Sequence, residues 1–324
     1  LPDRMRVLVT GGLGFIGANF ILQQLAEYPQ REVVNLDKVT YAADFANLAA
    51  IAGDARYRFI KGDICDTTAV REAMRGCDAV IHFAAKSHVD RSIEDSTVFL
   101  VTNVLGTHVL LEEALRSGTR FHHISTDEVF GALPLGTTEQ FTESTPYNPH
   151  NPYSASKAAS DHLVRAYHTT HGLPITITNC SNNYGPRQHG EKFLPTVIRN
   201  ALTGAPIPIY GDGLYVRDWL HVEDHCRAID AVLERGRIGE TYLVGGLTED
   251  VPNLAIARAV CDIVGADVQL ITHVRDRPGH DRRYAVDWSR IRDELGWEPR
   301  YSLEEGLRET IRWYQKHPDR LRVR

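Results

Sequence analysis

Tyr153 and Lys157 stand four residues apart where the apolar spacing predicts a helix over Tyr153–Thr170, so the two share one helical face. An ammonium beside a phenol favours phenolate and lowers the tyrosine pKa. A tyrosine tuned in this way can take a hydroxyl proton while hydride leaves the same carbon. On spacing alone, such a pair is more often a solvated face. Upstream, Ser125-Thr126 ends a predicted strand over Phe121–Ser125, and Asp127-Glu128 follows directly. C-terminal strand ends are where doubly wound sheets hold their ligands. On their own, the two acids read as a strand-end turn with solvated carboxylates.

A second constellation opens the chain. Val7-Leu8-Val9 reads as a strand, and Thr10-Gly11-Gly12-Leu13-Gly14-Phe15-Ile16-Gly17 leads from it into a helix. Gly11 permits a tight turn, Gly14 a close approach to a pyrophosphate, and Gly17 close packing of helix on strand. The helix N-terminus offers free N–H groups to an anion. The spacing is G-x-x-G-x-x-G, not G-x-G-x-x-G. Asp37 ends the next strand and suits a ribose 2′-hydroxyl, which favours NAD over NADP; Lys38 slightly weakens that preference. Asp63-Ile64, after a third strand, reads equally as an adenine flank or as a simple turn.

The elements that must position these residues alternate. Strands are predicted at Val33–Leu36, Tyr57–Ile60, Ala79–Phe83, Phe121–Ser125 and Ile175–Ile177. Helices are predicted at Ala18–Glu27, Thr67–Met74, Val98–Ser117 and Tyr153–Thr170. That alternation predicts an α/β fold, a Rossmann-like doubly wound parallel sheet covered on both faces. Beyond residue 180 the pattern changes. The stretches 182–186 and 205–213 read as loops, because Pro206 and Pro208 cannot sit in a central strand. Val222–Leu233 is helical and Tyr242-Leu243-Val244 returns to the sheet. Leu254–Val264 and Leu303–His317 belong to a smaller C-terminal part interleaved with the first.

The 324 residues carry 36 Lys+Arg and 42 Asp+Glu, a net charge of −6, with 43% hydrophobic residues. Composition excludes disorder and coiled coil, and no basic face for nucleic acid is present. Five widely spaced cysteines without C-x-x-C read as buried thiols of a reduced, cytoplasmic protein. Met5 leads directly into the first strand, which argues against a signal peptide. No apolar run approaches the ~20 residues of a membrane span, so no membrane partner is expected. His122-His123 and the other histidines show no metal spacing and read as structural.

Taken in order, eight motifs resemble the extended short-chain dehydrogenase/reductase family, and more narrowly the dTDP-glucose 4,6-dehydratase family. They are Thr10–Gly17, Asn35–Tyr41, Ala84–Ile93, Ser125–Gly131, Tyr153–Lys157, Asn179–Pro186, Val216–His225 and Arg277–Tyr284. The resemblance covers nearly the whole chain from Met5. Epimerases of the same superfamily place no Asp–Glu pair after this Ser/Thr, whereas removing water between C5 and C6 of a 4-keto sugar needs an acid and a base. The resemblance implies Asp127 as acid, Glu128 as base, and Tyr153, Lys157 and Thr126 as the C4 oxidation set. It extends the NAD set beyond Gly11, Gly14, Gly17, Asp37, Lys38, Asp63 and Ile64 to Phe15, Ile16, Thr40, Phe83, Ala84, Ala85, Ser87, Asn103, Ser125 and Cys180, with Tyr153 and Lys157. For the nucleotide-sugar it implies Ser87, Thr126, Asn182, Glu191, Lys192, Arg217, Asn253 and His280, with Pro208 and Tyr210 at the base.

Arg217 is the leading pyrophosphate ligand, since a guanidinium binds phosphate oxygens bidentately; its plainer reading is a surface pair with Asp218. Arg275, Arg277, Arg282 and Arg283 against Asp276 and Asp281 give a local excess of positive charge. The implied domains are an NAD-binding unit over 5–180 with a return at 219–246, and a nucleotide-sugar unit over 181–218 and 247–324. The helices Val98–Ser117 and Tyr153–Thr170 resemble a four-helix homodimer interface. Lys86, Arg187 and Tyr215 depart from the family pattern, as do Ala42-Ala43-Asp44 and a one-residue longer stretch at Gly246–Asn253. The alternatives are an epimerase or decarboxylase of this fold, or a non-catalytic nucleotide sensor.

Overall fold

The structure, a computed structural model, describes residues 5–246, 250–276 and 279–322. Arg277, Pro278 and part of the lengthened stretch lie outside the described residues. Seven strands form one sheet: β1 (Arg6–Thr10), β2 (Glu32–Asp37), β3 (Tyr57–Lys61), β4 (Ala79–His82), β5 (Arg120–Thr126), β6 (Ile175–Cys180) and β7 (Thr241–Val244). They are all parallel, in the order β7-β6-β5-β4-β1-β2-β3. The order reverses between β1 and β4, which opens the ligand crevice at their C-terminal ends. The expected α/β class therefore stands.

The central strands are buried because both faces are covered: β4, β6 and β7 are buried throughout, whereas the edge strand β3 is not. On one face Leu8, Val80 and Phe121 pack under the helices Thr67–Met74, Gly106–Ser117 and Pro152–His171. On the other, Val7, Val9 and Ile81 pack under Phe15–Glu27 and Val222–Arg235. A separate core joins the helices Phe193–Thr203, Asn253–Val264 and Leu303–Lys316 through Val197, Ile256 and Ile311.

Three expectations change. The stretches read as loops contain short strands: Asn182–Tyr184 pairs with Trp219–His221, and Ile207–Tyr210 pairs with Ile271–Val274. Pro208 is tolerated because both strands of a two-stranded sheet are edges. The helix over 97–117 is 21 residues long and, by length and composition, does reach what a membrane span needs. Its middle turns, Leu100–Leu105, are wound as a π-helix, and Leu110, Leu111 and Ala114 pack into the core. Val98, Leu100, Val101 and Leu105 lie exposed on its outer side. Finally, four of the five cysteines are buried, but Cys65 is half-buried.

Candidate active site

The glycine turn between β1 and the helix Phe15–Glu27 fits a dinucleotide. Gly11 has φ +74°, and a Cβ there would stand 2.8 Å from the Ala84 backbone; one on Gly17 would stand 2.7 Å from the Gly11 carbonyl. Only glycine lets the turn close on the end of β4. The helix starts at Gly14 with no side-chain cap and no acid in its first turn, so Phe15 and Ile16 sit at a bare positive dipole end. Asp37 ends β2 and is buried, which pushes its carboxyl up. Its oxygens accept from Leu13 N (3.0 Å) and Val39 N (2.8 Å), leaving one lone pair on each for a hydroxyl.

Lys38 pairs with Asp63 at 2.5 Å. Asp63 also accepts from Cys65 N, the hydrogen bond of a strand-end turn. Ile64 is a core residue against Gly106. Thr40, Phe83 and Ala84 are half-buried, and Ala85 and Ser87 are exposed, along the rim between β1 and β4. The Asn103 side chain holds the Lys86 backbone from both sides, N–H at 2.8 Å and carbonyl at 3.0 Å, and so shapes this rim.

The catalytic residues converge on the C-terminal end of β5. Asn151 caps the helix Pro152–His171 through Ser154 N, and Pro152 occupies its first turn, which fixes Tyr153 at the helix start beside that strand end. Thr126 Oγ1 accepts from Glu128 N and lies 3.3 Å from Asp127 Oδ1. Thr126 also hydrogen-bonds the Tyr153 phenol. Asp127 is 1% exposed, and its Oδ2 is a buried oxygen with no hydrogen-bond partner. Burial, then the neighbouring Glu128 and Asp218 charges, raise its carboxyl well above the usual range, and Arg217 opposes them. Burial thus favours the neutral form of Asp127, while Glu128 beside it is only half-buried.

The expected lowering of the tyrosine pKa does not hold. Burial and the Glu128 carboxylate push the Tyr153 phenol up. Lys157 Nζ donates instead to the Ile124 carbonyl (2.8 Å) and reaches His123 Nε2 at 3.2 Å. His123, read from sequence as merely structural, thus touches the candidate lysine. Ser125 Oγ points at Asp161 Oδ2 (2.9 Å). Cys180, pushed up to about 12 by burial and then by Asp127, bonds the Ser125 carbonyl and Asn183.

The substrate half closes on the same point. Arg217 is buried and makes no surface pair with Asp218. Its guanidinium donates to the Val216 carbonyl (2.7 Å) and the Asp281 carbonyl (2.9 Å) and lies 4.4 Å from the Tyr284 ring centre. The arginine cluster is not a bare positive field either. Arg282 pairs with Asp212 and Arg283 with Asp250, each at 2.8 Å, acids too distant in sequence for local counting. His280 stacks on Tyr215 at 3.7 Å, with Tyr210 edge-on at 6.0 Å. Tyr215, a departure from the family pattern, therefore walls this pocket, and Pro208 lies on the Tyr210 strand.

Lys192 donates to the Ser87 carbonyl (3.1 Å), and Glu191 accepts from Arg91 (2.8 Å). Asn182 and Asn253 each carry a buried amide oxygen without a partner. Arg187, another departure, takes φ +72° and donates to Asn19 (2.9 Å). Lys86 lies 4.9 Å from the Tyr41 ring centre. Sequence reading gave no site role to His123, Asp161 or Tyr284: Asp161 shares the Lys157 helix at four-residue spacing, but its contact with His123, like that of Tyr284 with Arg217, exists only in the folded chain.

A family model described as GDP-mannose 4,6 dehydratase matches residues 8–310. A dTDP-glucose 4,6-dehydratase of Xanthomonas campestris pv. campestris (strain B100) is 52% identical over 328 residues, 95% of this chain and 92% of that protein. The crystal structure of DesIV, a dTDP-glucose 4,6-dehydratase from Streptomyces venezuelae with NAD bound, is 49% identical with a TM-score of 0.94, covering 97% of this chain and 98% of that one. A UDP-glucose 4-epimerase from Thermotoga maritima shares the fold at a TM-score of 0.89 but only 27% identity, over 97% and 100% of the two chains.

Proposed function

The chain belongs to the nucleotide-sugar 4,6-dehydratase family, and on that premise we propose how its residues divide the reaction. The chain converts dTDP-glucose to dTDP-4-keto-6-deoxyglucose and water. NAD, held at the glycine cradle and Asp37, supplies the hydride acceptor and donor and is recycled in each turnover. Tyr153 accepts the C4 hydroxyl proton as its phenolate, oriented by Thr126; the Lys157 ammonium behind it and the positive charge that oxidised NAD would bring offset the burial that otherwise keeps the phenol neutral. The resulting ketone acidifies the C5 proton, which Glu128 removes. Asp127, neutral because it is buried beside a second acid, gives its proton to the departing C6 hydroxyl. Glu128 then returns a proton to C5.

Arg217 takes the substrate pyrophosphate, with Asn182, Glu191, Lys192 and Asn253 around the nucleotide-sugar. His280, Tyr210 and Tyr215 flank the base. The chain divides into an NAD unit over 5–180 and 219–246 and a substrate unit over 181–218 and 247–324, with the reaction at their seam. Two copies pair through the exposed apolar side of the helix over 97–117 and its neighbour Pro152–His171, and the product feeds deoxysugar biosynthesis.

One observation carries the reading: two adjacent carboxyl groups in unlike environments beside the Thr126–Tyr153 pair. Glu128→Gln separates the steps. It should keep C4 oxidation, seen as reduced nicotinamide accumulating on the enzyme, and lose water release by roughly 10²-fold or more. Dehydration at the unsubstituted rate would reassign the base.

A further inference from the structure

Beneath Lys157 lies a group of buried polar side chains that no step above uses. His123 Nε2 stands 3.2 Å from Lys157 Nζ and 3.2 Å from Asp161 Oδ1. One nitrogen cannot accept from the lysine and donate to the carboxylate at once; as acceptor from Lys157 it leaves Asp161 Oδ1 without a hydrogen bond, so the neutral ring separates the two charges and the carboxylate acts on the ammonium across it. The other oxygen, Asp161 Oδ2, accepts from Tyr147 OH (2.7 Å), Ser125 Oγ (2.9 Å) and Asn179 Nδ2 (3.2 Å). Asp161 and His123 are fully buried. Burial opposes ionisation of Asp161, but the neighbouring His123, Lys157 and Arg165 outweigh it and hold the carboxyl at about 2.

A buried ammonium is held charged by its counterion, and losing that partner strands the charge or strips its proton. Burial already pulls Lys157 down to about 8, and Asp161 is the leading group acting the other way. The remaining groups facing Lys157 supply no carboxylate. They are His123 from β5, His82 from β4 and Cys180 from β6. His82 and His123 are pulled down by burial and are neutral at pH 7.

We propose that Asp161 is a positioning residue for the oxidation step: acting through His123, it keeps Lys157 an ammonium and anchors it behind Tyr153. This rests on reading Tyr153 and Lys157 as the oxidation pair.

Asp161→Asn keeps the volume and an acceptor for Ser125 and Tyr147, removes the charge, and turns the oxygen facing His123 into an N–H donor. With the NAD-loaded enzyme and dTDP-glucose, kcat/KM at pH 8 should fall roughly fivefold, and the alkaline limb of its pH profile should move toward acid by about one unit. Asp161→Glu should restore the limb. His123→Gln should move it in the same direction by less, and it carries the test if Asp161→Asn does not fold. Independently of turnover, the Lys157 side-chain resonance should titrate about one unit lower by NMR in Asp161→Asn. A limb and a titration that stay in place, with activity unchanged or scaled down equally at every pH, would overturn the role. If the unsubstituted chain does not dehydrate dTDP-glucose, the reading of the reaction fails and this inference falls with it, a result distinct from an unmoved limb.

Discussion

The proposed cofactor cradle and the proposed substrate pocket are built on opposite plans. The cradle is backbone: glycines at Gly11, Gly14 and Gly17, a bare helix start, and one carboxylate at the end of β2. The substrate pocket is side chain: Arg217 leaning on Tyr284 and the Asp281 carbonyl, His280 stacked on Tyr215, and arginines paired with Asp212 and Asp250. A backbone site fails all at once when a Cβ intrudes, whereas a side-chain site loses its contacts one by one.

The sharpest break is therefore at Gly11. Gly11→Ala forces a Cβ to 2.8 Å from the Ala84 backbone at φ +74°. The purified protein should lose its bound NAD and nearly all turnover, beyond the ~1–2 kcal/mol of left-handed strain alone. Gly118→Ala is the control, with φ +69° and nothing within 4 Å of the added Cβ. It should lower stability by about 1 kcal/mol, read by thermal melting, and leave NAD content unchanged. If both variants keep NAD, the backbone account of the cradle fails.

On the substrate side, Arg217→Lys keeps the charge and removes the planar fork. KM for dTDP-glucose should rise roughly tenfold, about 1.4 kcal/mol, with kcat changed much less. An equal fall in kcat would move Arg217 into the chemical step.

At the seam, pH separates activity from stability. Lys157 is held at about 8 against an ordinary 10.5. Its ammonium is lost as pH rises through about 8, so kcat/KM should decline above that point. Stability runs the other way: between those values the unfolded chain binds more protons, so this group's contribution rises with pH. Rate profiles and melting curves over that window should diverge; parallel decline would mean the fold, not the lysine, sets the alkaline limit.

Legibility in the sequence follows the same divide. The glycine turn, the end of β2 at Asp37 and the alternation of strands and helices that makes a parallel sheet are read from short, local patterns, and the structure keeps them. Tyr153 and Lys157 share a helix, so their spacing carried the pairing, but not the direction of the phenol's shift. That direction depends on burial and on Glu128, 25 residues away along the chain. Asp161 lies four residues beyond Lys157 and drew no notice, because its meaning depends on His123 arriving from β5. Likewise, four arginines looked like one positive patch until the fold supplied Asp212 and Asp250. Pro208 marked a loop until a two-stranded sheet gave it an edge.

The most direct measurement follows deuterium from C4 of dTDP-glucose. The account predicts loss of one water with the label recovered at C6 of a 4-keto-6-deoxy product, because one tightly held NAD carries it within a single turnover. Label lost to solvent, or a C4 epimer that keeps its C6 hydroxyl, would contradict it.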